Sequence, residues 1–139
     1  MQDNIVIENQ KEFILGGRAY FTVESEETKN RFTYKINLCK TNKNMFFVSV
    51  CYAYESYNFI GNLYTNEAKT EFKFVQSKKL TKTPTSVEVI KFIIEHYLNN
   101  NKPHSKLVFY HHGHCCRCGR TLTTPESIKR GIGPFCADL

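Results

Sequence analysis

No run of residues in this 139-residue chain is apolar for long enough to cross a membrane. A spanning helix needs about 20 apolar residues, and the most hydrophobic stretch, 87–98, is interrupted by Lys91 and Glu95. The opening MQDNIVIENQ has neither a basic segment nor an apolar one of the kind a secretory leader carries, so the chain is expected to work in the cytoplasm. Signatures of catalysis are missing as well: there is no phosphate-binding glycine loop, no H-E-x-x-H, and no deaminase H-x-E with P-C-x-x-C. The glycines near the end serve turns, and a non-enzymatic role is the expectation. Internal repeats and low-complexity tracts are also absent.

With 41% hydrophobic and 23% charged residues, the composition is that of a globular protein with one core. The length suits one main unit, 1–106, and a small appendage, 107–139. The formal charge of +6 favours an anionic partner, nucleic acid or an acidic protein surface, without choosing between them. Lys69, Lys73, Lys78, Lys79 and Lys82 fall close together, and Lys102, Lys106, Arg117, Arg120, Lys129 and Arg130 surround a group of cysteines. Glu24, Glu26 and Glu27 form an opposing acidic cluster.

Alternation of apolar and polar residues marks strands at 18–23 and 31–38; in the second, Phe32, Tyr34, Ile36 and Leu38 point one way and Arg31, Thr33, Lys35 and Asn37 the other. Residues 45–54 are apolar on both faces, which reads as a central strand covered on both sides. Shorter strands follow at 58–64 and 71–75, and short polar links between them make an antiparallel meander the natural topology. After Pro84, Thr85 and Glu88 form a T-x-x-E capping box, and Val87, Ile90, Ile94 and Tyr97 recur at helical spacing. Asn99, Asn100 and Asn101 before Pro103 end that helix, and 107–110 is a last strand. The fold class expected is α+β: a curved antiparallel β-sheet packed by one helix, with a C-terminal zinc knuckle containing a short helix. Residues 1–10 fit either a strand or a disordered arm.

The segment from His111 onward reads HHGHCCRCGRTLTTPESIKRGIGPFCADL. Cys115-x-x-Cys118 followed by Gly119 is a knuckle turn, because two intervening residues bring both thiolates to one side of a tight loop. Cys136 supplies a third thiolate after a helix of about 125–130, which Thr124 caps, Pro125 opens and Gly131 ends. Gly133-Pro134 then turns Cys136 toward the pair. A closed tetrahedral zinc site takes four ligands, and His111, His112, His114 and Cys116 compete for the last place. Cys116, between the knuckle cysteines, would strain the turn, and His114 is adjacent to Cys115. His111, four residues before Cys115 with Gly113 between, folds back most readily; His112 comes next. Cys39, Cys51 and Cys116 are expected to be neither ligands nor disulfide partners. Glu126, on the first turn of the short helix, offsets the helix dipole rather than serving as a catalytic base.

The pattern C-x-x-C-G-R-x-L-T-x-P-x-S-I-x-x-G-x-G-P-x-C, from Cys115 to Cys136, resembles the zinc-binding tail of an uncharacterised family found in bacteriophage and actinobacterial proteins. Phage members carry an aromatic-His-x-Gly before it, matched here by Tyr110, His111 and Gly113, which favours His111 as a ligand. The upstream GRAYFTVESEETKNRFTYKINL and FVSV resemble a phage-borne sheet domain. The resemblance implies a mobile-element accessory protein and no defined activity. Two functions compete. In the first, Arg117, Arg120, Lys129 and Arg130 on the knuckle, with aromatics such as Tyr20, Tyr54 and Tyr57, bind nucleic acid or a nucleoprotein. In the second, the protein is a phage-encoded inhibitor of a host defence system, of the anti-CRISPR type, using acidic patches such as 24–27.

Overall fold

The computed structural model describes residues 5–7, 9–53, 56–100, 106–133 and 136. Tyr54, Asn101, Lys102, Pro103 and Pro134, all part of the sequence reading above, lie outside the described residues.

Successive hairpins join β2 (Arg18–Ser25), β3 (Arg31–Leu38), β4 (Met45–Ala53), β5 (Ser56–Thr65) and β6 (Phe72–Gln76) into the expected meander. The chain then crosses back. β7 (Leu107–His111) pairs with the other side of β2, and the short β1 (Ile5–Val6) pairs outside it, giving the order β1-β7-β2-β3-β4-β5-β6 with every pairing antiparallel. The strand that opens the tail is thus an interior strand of the main sheet.

Paired residues in an antiparallel ladder share a face. Ala19, Phe21 and Val23 lie abreast of Ile36, Tyr34 and Phe32, and Phe21 and Val23 also of His111 and Phe109, so these side chains meet in one buried layer. Phe46 and Val48 continue it through β4. In β5 the register slips: Val48 pairs with Gly61 but Ser49 with Phe59, and the extra residue, Ile60, is buried. The bulge turns Phe59 onto the face opposite Gly61, where simple alternation would have kept the two together.

Helices cover the buried layer from one side. α1 (Gln10–Ile14), which the sequence reading missed, is capped by the Asn9 side chain accepting from Glu12 N–H and buries Phe13 and Ile14. α2 (Thr85–Phe92) runs into a π-helical segment, Ile93–Leu98, whose wider turn lets Ile93, Ile94, Tyr97 and Leu98 all face inward. The capping box does not form. Pro84 is the cap residue, extended at φ −67° and ψ 162°, and Thr85 is already helical, so its side chain makes no capping bond. At the far edge, Asn99 donates to Phe72 O (2.9 Å) and accepts from Phe72 N–H (2.6 Å), satisfying backbone groups that edge strand β6 would otherwise expose.

β4 departs from its sequence reading. Helices cover its core face, whereas on the other face Ser49 is buried only among neighbouring strand side chains and Phe47 remains 41% exposed. Apolar residues on both faces of a strand do not summon a second layer when the described helices pack on one side.

Candidate metal centre

β7 ends at His111, and Gly113, at φ 83°, reverses the chain. A narrow hairpin follows, closed by Leu122 N–H to Gly113 O (2.8 Å), the His114/Thr121 bridge and Cys115 N–H to Arg120 O (2.9 Å). At its tip Gly119 N–H returns to Cys115 O (2.9 Å), with Gly119 at φ 80°. Helix α3 (Pro125–Arg130) then starts on Thr124, which accepts from Ser127 N–H, and ends on left-handed Gly131, as its residues dictate.

This arrangement brings Cys115, Cys118 and Cys136 together, their sulfurs all within 4.8 Å of one another. Zinc–sulfur bonds of about 2.3 Å in a tetrahedron put thiolates roughly 3.8 Å apart, so the three fit a single ion after small adjustments. Their electrostatics differ. Burial raises the Cys115 thiol, but backbone donors at Gly133, Cys118 and Arg117 outweigh it and bring the pKa down to about 7. Two of those donors are seen as N–H···S contacts, from Arg117 at 3.4 Å and Gly133 at 3.3 Å. Cys136 is pushed up to about 11, by desolvation first and then by the Cys118 and Cys115 side chains. Cys115 is therefore better prepared than Cys136 to meet a cation as thiolate.

His111 is not brought to the cluster. It is fully buried, stacked on Phe13 at 5.6 Å between ring centroids. Its Nε2 lies 2.6 Å from Ile128 O and its Nδ1 accepts from Gly113 N–H at 3.0 Å. These partners assign the neutral tautomer with the proton on Nε2, and desolvation holds the pKa below the ordinary histidine value. With both ring nitrogens engaged, His111 ties β7 to α3. His112 is also directed elsewhere, its Nε2 3.1 Å from Thr22 Oγ1. His114 and Cys116 lie outside the cluster too, and no fourth donor side chain joins it among the described residues. All six cysteines are free thiols.

Cys116 has a different task. Buried beneath the knuckle, it donates its N–H to Gly131 O (2.9 Å) and accepts from Arg18 N–H (2.7 Å), stitching the loop to α3 and to β2. Burial, then the neighbouring Cys115 and Glu12, pushes its thiol up to about 12, as suits a packing group. Gly16 admits it: a Cβ there would lie 2.5 Å from the Cys116 sulfur. Arg18 also donates to Cys118 O at 3.2 Å.

The four basic residues proposed as a contact surface divide. Arg117 donates to Cys136 O (3.0 Å), and Arg130 grips Glu12 through Nε (3.0 Å) and Nη2 (3.3 Å), so both hold the tail in place. All four nevertheless remain exposed, Arg120 and Lys129 included. Glu12, Gly16 and Arg18 were not found from sequence, because partners about a hundred residues away leave no local pattern.

Residues 105–139 match a family of unknown function (DUF6011). The similarity covers β7, the knuckle and α3, and leaves the meander outside it. No curated protein and no solved structure matches the chain.

Proposed function

We propose that the protein is a small, non-enzymatic, zinc-stabilised binding protein of phage or mobile-element type, whose partner in the host cytoplasm is nucleic acid or a nucleoprotein. The observation that carries the metal is the convergence of three sulfurs from two separate segments. A thiolate set selects zinc over hard cations such as magnesium or calcium, and one ion per chain is expected. The metal pins the hairpin tip to the segment after α3, and the excess of cations supplies the attraction to phosphate. The acidic cluster that would serve an inhibitor of host defence is partly neutralised: Glu24 pairs with Arg31 at 2.9 Å, and Glu27 pairs with Lys106. Nucleic acid therefore leads. A pull-down from the host, assayed for both protein and nucleic acid, together with binding of labelled oligonucleotides at low and high salt, tests the reading. Affinity falling steeply with salt is expected; recovery of protein alone, with no oligonucleotide bound even at low salt, sinks it.

A further inference from the structure

The side of the sheet away from the helices is not a bland polar surface. Register places Arg18, Asn37, Phe47 and Asn62 abreast in one row, and Tyr20, Lys35, Ser49 and Phe59 in the next. Phe47 and Phe59 are 41% and 46% exposed, with their rings edge-on at 6.2 Å. Tyr20 and Tyr57 form a second edge-on pair at 5.9 Å, and the Lys35 ammonium stands 4.8 Å above the Tyr57 ring. Adjacent phenylalanines exposed to this degree on a central part of a sheet mark a binding surface more often than a packing error.

The chemistry of the face selects the occupant. Among its described strand residues the one carboxylate is Glu24, already paired with Arg31, whereas Arg18, Lys35 and Lys73 add positive charge. A second copy of this chain would meet like charge with like. A purely apolar peptide would leave the cations unused. Aromatic faces interleaved with cations suit unpaired bases stacked on rings with the phosphates held between, whereas a duplex keeps its bases stacked inside and presents no ring to pair with.

We infer that the open face of the sheet, centred on Tyr20, Phe47, Tyr57 and Phe59 with Lys35, is a platform for a single-stranded oligonucleotide. The inference rests on the nucleic-acid reading above and moves its principal surface from the knuckle to the sheet. Arg18 links the two, standing in the row of Phe47 while its guanidinium bonds to Cys118 O in the metal loop.

The test uses the zinc-loaded full chain with labelled oligo(dT) and oligo(U), and a duplex for comparison. Single strands of one or both sugars should bind more tightly than duplex. Phe47→Ala and Phe59→Ala should each weaken that binding about 5- to 150-fold, the loss of one base–ring stack. Phe59→Tyr, which keeps a ring, should restore most of it, and Arg120→Ala/Lys129→Ala should change it less than either alanine variant. Unchanged affinity in both phenylalanine variants overturns the platform while leaving the nucleic-acid reading intact. Duplex binding as tight as single-strand binding, or a wild-type dimer that Phe59→Ala dissociates, also overturns it. A wild type that binds no oligonucleotide removes both readings together.

Discussion

Within the tail, each cysteine and histidine has a geometry that fixes what its replacement should do. Cys115→Ser, Cys118→Ser and Cys136→Ser each remove one of three sulfurs that lie within 4.8 Å; elemental analysis is expected to find one zinc per wild-type chain and none in any of the three variants. Cys116→Ala should keep the metal and cost about 1–2 kcal/mol in a denaturant titration, because a small buried group is lost without exposing a charge. Zinc lost from a folded Cys116→Ala protein would rewrite the ligand set. His111→Gln is the sharper case, since sequence spacing makes His111 a ligand and the structure makes it a bridge from Gly113 N–H to Ile128 O. Full zinc content is expected, with a stability loss of about 1–3 kcal/mol from disturbing buried hydrogen bonds. A folded variant with no zinc would return His111 to the metal.

The short helices carry the fit between tail and body. Gly131 ends α3 at φ 80°, and a Cβ there would come within 2.6 Å of the Phe13 ring. Gly131→Ala should therefore cost at least about 1–2 kcal/mol for the left-handed backbone alone, and displacement of the Phe13 ring adds to it. Thermal unfolding checks the sum; a variant as stable as wild type would mean that α1 does not pack as described. α3 was fully legible, because Thr124, Pro125 and Gly131 are local signals for a cap, a first turn and a stop. α1 was not: five residues are too few for a period to show, and its buried pair, Phe13 and Ile14, are neighbours in sequence. Thr85 and Glu88 had the spacing of a capping box, but Pro84 took the cap position, so the local pattern was present and the geometry was not.

Across the molecule, the cysteine loop is wired to the first strands. Cys116 bonds to Arg18, Arg18 to Cys118, and Arg130 to Glu12, while β1 pairs only with β7 among the described strands. Removing zinc with a chelator should loosen α1, β1 and the knuckle together and leave the β3–β4–β5 ladder protected, a pattern that amide hydrogen exchange reads directly. Faster exchange confined to the knuckle would show that the contacts with α1 and β2 hold without metal. Uniform exchange across the whole sheet would instead show that the tail and the meander unfold as one.

What the sequence determined by itself was written mostly in short periods: the strand alternation of 18–23 and 31–38, the antiparallel meander, the apolar stripe from Val87 to Tyr97, the C-x-x-C turn and the cap signals of α3. These depend on a residue and its near neighbours, and steric and hydrogen-bonding rules act at that range. Only the tertiary structure decided which histidine nitrogens were already taken, which arginines were spent on Glu12 and Cys136 O, and that β7 entered the sheet beside β2. It also decided the open face, because one bulged residue, Ile60, turned Phe59 away from the core, and the described helices settled on the other side. Such outcomes depend on register and on contacts between distant segments, which a one-residue slip reverses without altering the local pattern.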